Sequence, residues 1–80
     1  MTTTEASTPT LTPLDHVRRY ALVELFLVRV LDMAPADARA EADALQHAVS
    51  ARLLGRIDAL LGRPERDLWD NPIPRPDGSP

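Results

Sequence analysis

An all-α fold follows from three observations. Apolar residues recur every three to four positions along 14–33 and again along 38–61. Strong helix formers (Ala, Leu, Glu and Arg) dominate both stretches, and prolines fall only where a helix begins or cannot continue. The expected architecture is a long antiparallel helical hairpin plus a short C-terminal helical turn. A second copy, or a partner, would complete a four-helix bundle around it.

The first helix is expected over 14–33. Thr12 is a good N-cap, Pro13 suits the first helical position, and Asp15 lies near the positive helix end. Asp15, Arg18, Arg19, Arg29 and Asp32 share one side, yet Leu22, Phe26 and Met33 lie among them. A helix apolar over so much of its circumference must be covered from more than one direction. That is the reason to expect assembly, with Leu22, Phe26 and Met33 as an outward patch.

The stretch Asp32-Met33-Ala34-Pro35 is the break, since Pro35 ends one helix and opens the next. The second helix is expected over 35–62. Its opening alternates Ala with charge, a strand-like period that helix propensity overrides. Ala38, Ala42, Leu45, Val49, Leu53, Ile57 and Leu60 or Leu61 then mark its core face. Gly62 and Pro64 terminate it, and Gly55 inside it marks close packing or a bend. A helical turn over 64–69 would fold Leu68 and Trp69 back on the open end of the hairpin.

These limits divide the chain into a disordered N-terminal tail (1–12), a hairpin domain (13–69) and a Pro-rich extended tail (70–80). The last ten residues hold four of the eight prolines. Roughly fifty to sixty residues remain to form a core, near the lower limit for a lone chain. With no cysteine, neither a disulfide nor a thiolate metal site can help, so association is the remaining staple.

Twelve acids face nine basic residues, all of them Arg, in a pattern that suits a high-GC bacterial genome. Nucleic-acid binding normally requires clustered positive charge, which this chain lacks. Lysine chemistry is excluded outright. The most apolar window, 20–31, contains Glu24 and Arg29 and is too short to span a bilayer. No export signal is visible, so the expected location is cytoplasmic.

Glu24 is the residue the pattern singles out. It lands among Val17, Tyr20, Ala21, Leu27, Val28 and Leu31, in the middle of the apolar face. A buried carboxylate must be paired, protonated or used. One environment is a structural bond from Gln46, Tyr20 or Arg52, a polar pin that sets helix register. Another is a solvent groove reached by rotation of the helix, and the third is a ligand-binding role. The pin (Glu24, Gln46, Arg52) is the reading adopted.

Other constellations yield less. Asp43 and His47 share a helix face, but two ligands do not make a site, and His16 is expected at the far end of the hairpin from His47. No metal and no cofactor are therefore expected. Arg18, Arg19, Arg52 and Arg56 at the open end could bind an anion in a small helical enzyme, but no catalytic set accompanies them. Leu68 and Trp69 add an aromatic anchor to the interaction surface.

The function expected is non-enzymatic: a small helical interaction or accessory protein that forms a homodimer or docks on a larger protein, without nucleic acid or membrane. The alternative is a small bacterial regulator, toxin-neutralising or transcription-associated. A small anion-binding enzyme stands behind both.

Overall fold

A computed structural model describes residues 13–75 of the chain. The tail over 1–12, with its cap Thr12, lies outside the described residues, as does 76–80. Three helices run in order: α1 (Pro13–Arg29), α2 (Pro35–Leu45) and α3 (Ala51–Leu60). Among the described residues there is no sheet, only an isolated antiparallel bridge between Arg66 and Pro72.

The all-α class holds, but the two-helix hairpin does not. The second expected helix is two helices. Ser50 interrupts it with extended backbone (φ −71°, ψ 160°), and its hydroxyl accepts from Leu53 N at 3.1 Å as an N-cap. The chain turns through 46–48 and starts α3 in a new direction. Both α2 and α3 then pack on α1 rather than on each other.

That arrangement covers α1 from two sides within one chain. Positions 21–25 are buried in an unbroken run, including Leu22 and Leu25 at 0% exposure. Against them lie Ala38 and Ala42 of α2, whose small side chains allow close approach, and Leu54 and Ile57 of α3. The all-round apolar helix thus finds most of its cover internally, not in a second hairpin.

Helix ends follow local chemistry. α1 stops at Arg29, short of Met33. Its last carbonyls are taken by looser bonds (Leu31 N to Phe26 O, 3.4 Å; Met33 N to Leu27 O, 3.0 Å), and Asp32 sits at φ 59°. α3 ends as the sequence predicts. Gly62 takes φ 82°, its N–H reaches Ala59 O at 3.0 Å, and Arg63 N reaches Asp58 O at 2.8 Å, the paired bonds of a Schellman motif.

Two arginines of α1 act as staples. Arg18 pairs with Asp58 of α3 at 3.3 Å, both side chains largely buried. Arg19, itself buried, donates to Gln46 O at 3.2 Å and so satisfies a carbonyl at the end of α2.

After α3 the chain forms a tight turn, not the expected helical turn over 64–69. Asp67 Oδ1 accepts from Trp69 N (2.8 Å) and Asn71 N (2.9 Å), while Asp67 N donates to Asn71 O (2.9 Å). An aspartate that can bond its own backbone two residues on favours a turn over a helix. The returning segment docks: Ile73 N donates to Glu65 O at 2.9 Å, and the Ile73 side chain enters the core.

Candidate functional site

The polar cluster of the domain gathers where α1, α2 and the 67–71 turn meet. Glu24 lies at its centre, 1% exposed, as its place on the apolar face of α1 requires. Its Oε1 accepts from Trp69 Nε1 at 3.3 Å, and its Oε2 is buried without a hydrogen-bond partner. The Asp67 turn is what aims the indole inward.

Tyr20, one turn before Glu24 on α1, donates its hydroxyl to Arg39 O on α2 at 3.3 Å. The Arg39 guanidinium lies 5.5 Å from the Trp69 ring centroid, a cation–π distance. The indole therefore stands between two charges, with its N–H on the carboxylate and its face toward the guanidinium.

Electrostatics follow from burial. Desolvation pushes the Glu24 carboxyl above its ordinary value of 4.5, with Asp67 adding to the rise, while the Trp69 bond and the Arg39 charge oppose it. Burial likewise raises the Tyr20 phenol, helped by the charges of Glu24 and Asp43 and opposed by Arg39. Every charged group in the cluster thus acts on a neighbour.

The expected pin is rebuilt with different partners. Glu24 bonds Trp69, not Gln46 or Arg52. Gln46 donates to Asp43 O at 3.5 Å and leaves its own Oε1 buried and unpaired. Arg52 is exposed on the first turn of α3, because the break at Ser50 redirects it.

The outward patch also changes. Leu22 is wholly buried, and Phe26 and Met33 are half-buried against the core, since α2 and α3 flank α1 on both sides. Leu68 is half-buried as well, while Trp69 keeps 49% exposure. The large apolar groups that face outward are instead Leu14, Val17, Val30, Leu31, Leu45, Leu53 and Leu60.

The histidines also differ from the expected separation. His16 and His47 meet edge-to-face with centroids 6.1 Å apart. They converge because α2 stops at Leu45 and its C-terminal turn swings back over the start of α1. Among the described residues, no three of His, Cys, Asp or Glu cluster as metal ligands.

Of the four guanidiniums of the anion-binding alternative, Arg18 pairs with Asp58, Arg19 bonds Gln46 O, and Arg52 and Arg56 are exposed. Arg18 also lines an open groove of about 460 Å³ with Arg63, Arg66 and Arg75, where Asp58 and Glu65 offset their charge. No helix among the described residues is long and apolar enough to cross a membrane.

Comparison with known proteins gives these features a frame. Residues 14–75 match the family described as iron dependent repressor, metal binding and dimerisation domain. The chain is similar to a solved manganese-dependent transcriptional repressor in complex with manganese, at 47% identity and a TM-score of 0.78, covering 88% of this chain and 36% of that one. It is also similar to a second solved manganese-dependent transcriptional repressor, at 46% identity and a TM-score of 0.76, covering 92% of this chain and 44% of that one. No curated protein matches the chain significantly.

The chain thus spans less than half the length of these solved repressors. The matched domain is not an enzyme, in agreement with the sequence reading. A transcription-associated regulator is favoured over a stand-alone accessory protein.

Proposed function

The chain belongs to the family of iron-dependent repressor metal-binding and dimerisation domains, and on that premise we propose that it is the self-associating part of a cytoplasmic transcriptional repressor. Its work is to bring two repressor chains together, so that two DNA-binding parts, lying outside the span of this domain, are held at a fixed separation. The mildly acidic balance suits such a role, since this domain itself has no cause to meet phosphate.

The observation that carries this reading is the apolar stripe left uncovered on α3. Leu53 and Leu60, seven residues apart and so on one helix face, are 50% and 64% exposed. Leu14 and Val17 of α1 are exposed as well, at 39% and 50%. Isolated surface leucines need no explanation, but paired leucines on one stripe of a helix mark an interface. Arg52 and Arg56 on α3 can cover its rim with their stems.

Two aspartates test this reading. The L53D/L60D variant keeps the core residues Leu54 and Ile57 and should fold, yet sediment as a monomer where the unaltered chain sediments as a dimer. A variant that dimerises as tightly as the original would overturn the assignment of this face.

A further inference from the structure

A domain of this family is expected to hold a metal ion, and the donor chemistry of this chain does not fit one. Among the described residues no set of three potential ligands comes together. The buried carboxylate, Glu24, already spends one oxygen on Trp69 Nε1. On the other side of that indole stands a guanidinium. Arg39 has no lone pair to offer a metal, and its fixed charge repels a divalent ion brought into the same cluster. His16 and His47 form a two-member group and lack a third ligand.

We propose that Arg39 is the resident cation of this domain. Held against the Trp69 ring, whose N–H bonds Glu24, its guanidinium supplies the counter-charge for Glu24 that a divalent metal would otherwise supply. The domain then folds and self-associates with no metal bound to its own residues. The inference rests on the self-associating role above and departs from the metal dependence of the solved relatives.

The cluster has the parts this requires. The phenol of α1 bonds the Arg39 carbonyl and the indole of the 67–71 turn faces its guanidinium, so the residue is held from both sides. The Arg39 charge reaches Glu24 and opposes the effect of burial on it. Asp67 of the turn adds to the rise at Glu24, and Asp43 of α2 acts on Tyr20 one turn away.

The test uses the 80-residue chain and MnCl2 as the probe. The electron paramagnetic resonance signal of free Mn²⁺ should be undiminished by equimolar protein. The melting temperature in about 1 mM MnCl2 should lie within about 2 °C of that in EDTA, as expected for a ligand with no site. Uptake of Mn²⁺, or a rise of several degrees that EDTA reverses, would overturn the proposal.

A double-mutant cycle tests the counter-charge itself. R39Q should lower the melting temperature by about 4 °C or more in the original chain, and by less than half as much when Glu24 is already Gln. Equal losses in both backgrounds would show that Arg39 does not serve Glu24. Molar mass read on the same samples separates the two ideas: a monomer throughout overturns self-association alone, and Mn²⁺ uptake overturns the resident cation alone.

Discussion

Trp69 and Glu24 share a hydrogen bond of 3.3 Å across 45 positions of chain. It joins the turn after the last helix to the middle of the first, on the buried face of α1. The carboxylate could not sit at 1% exposure without such a donor, and the indole could not deliver it without the Asp67 turn beneath. One bond thus decides how the C-terminal segment closes over the domain.

Replacing the indole by a phenyl ring tests that closure. W69F leaves neither Glu24 oxygen bonded and weakens the ring under Arg39. The expected cost is about 1–3 kcal/mol. For a domain of this size each kcal/mol lowers the melting temperature by roughly 4–8 °C, measurable by circular dichroism. An unchanged melting temperature would mean that the bond contributes nothing.

Burial raises the Glu24 pKa above 4.5, so the folded chain holds that proton more tightly than the unfolded one. Stability contributed by this group therefore falls as pH rises from the ordinary value through the raised one, then levels off. E24Q lacks the titration. Its melting temperature minus that of the original chain should increase with pH across this window and stay flat above it. A difference that shrinks as pH rises would show that Arg39 and Trp69 outweigh desolvation.

Gly55 occupies the middle of α3 without using its missing side chain. Nothing lies within 4 Å of where a Cβ would stand, so close packing does not explain it. G55A should stabilise the domain by about 0.5–1 kcal/mol through helix propensity and a less flexible unfolded chain. Denaturant titration with an unchanged slope would show it. A destabilised variant would imply a contact absent from the single chain, such as one made in the dimer.

Ile73 stands between two prolines, 8% exposed in the core. I73A should cost about 2–3 kcal/mol, the lower half of the range for a buried aliphatic truncation, since the site lies at the edge of the core. A loss under 0.5 kcal/mol, about that of an ordinary surface substitution, would mean that this segment is not docked in solution.

Much of this structure was legible in the sequence. Pro35 and Gly62 mark their helix limits because their backbone restrictions are local. Glu24 announces its burial because α1 is periodic around it. The break at 46–50 was hidden because Leu45, Val49, Leu53 and Ile57 carry a helical stripe straight through it. Ser50, three residues before Leu53, was the available sign of a new N-cap.

Long-range partners were harder to read. Trp69 reaches Glu24 only because Asp67 makes a turn where Pro64 suggested a helix, and His16 meets His47 only because α2 ends early. Arg39 looked like one more charge in an Ala-rich alternation. Its place beside Tyr20 and Trp69 depends on the crossing of α2 over α1, which no local pattern encodes.

The central claim is that this domain self-associates through its exposed α3 face without a divalent ion. Sedimentation equilibrium of the 80-residue chain in EDTA tests it most directly. The expected result is a dimer of about twice the 8.8 kDa chain mass, unchanged when MnCl2 replaces EDTA. A chain that is monomeric in EDTA and dimerises only when Mn²⁺ is added would contradict it.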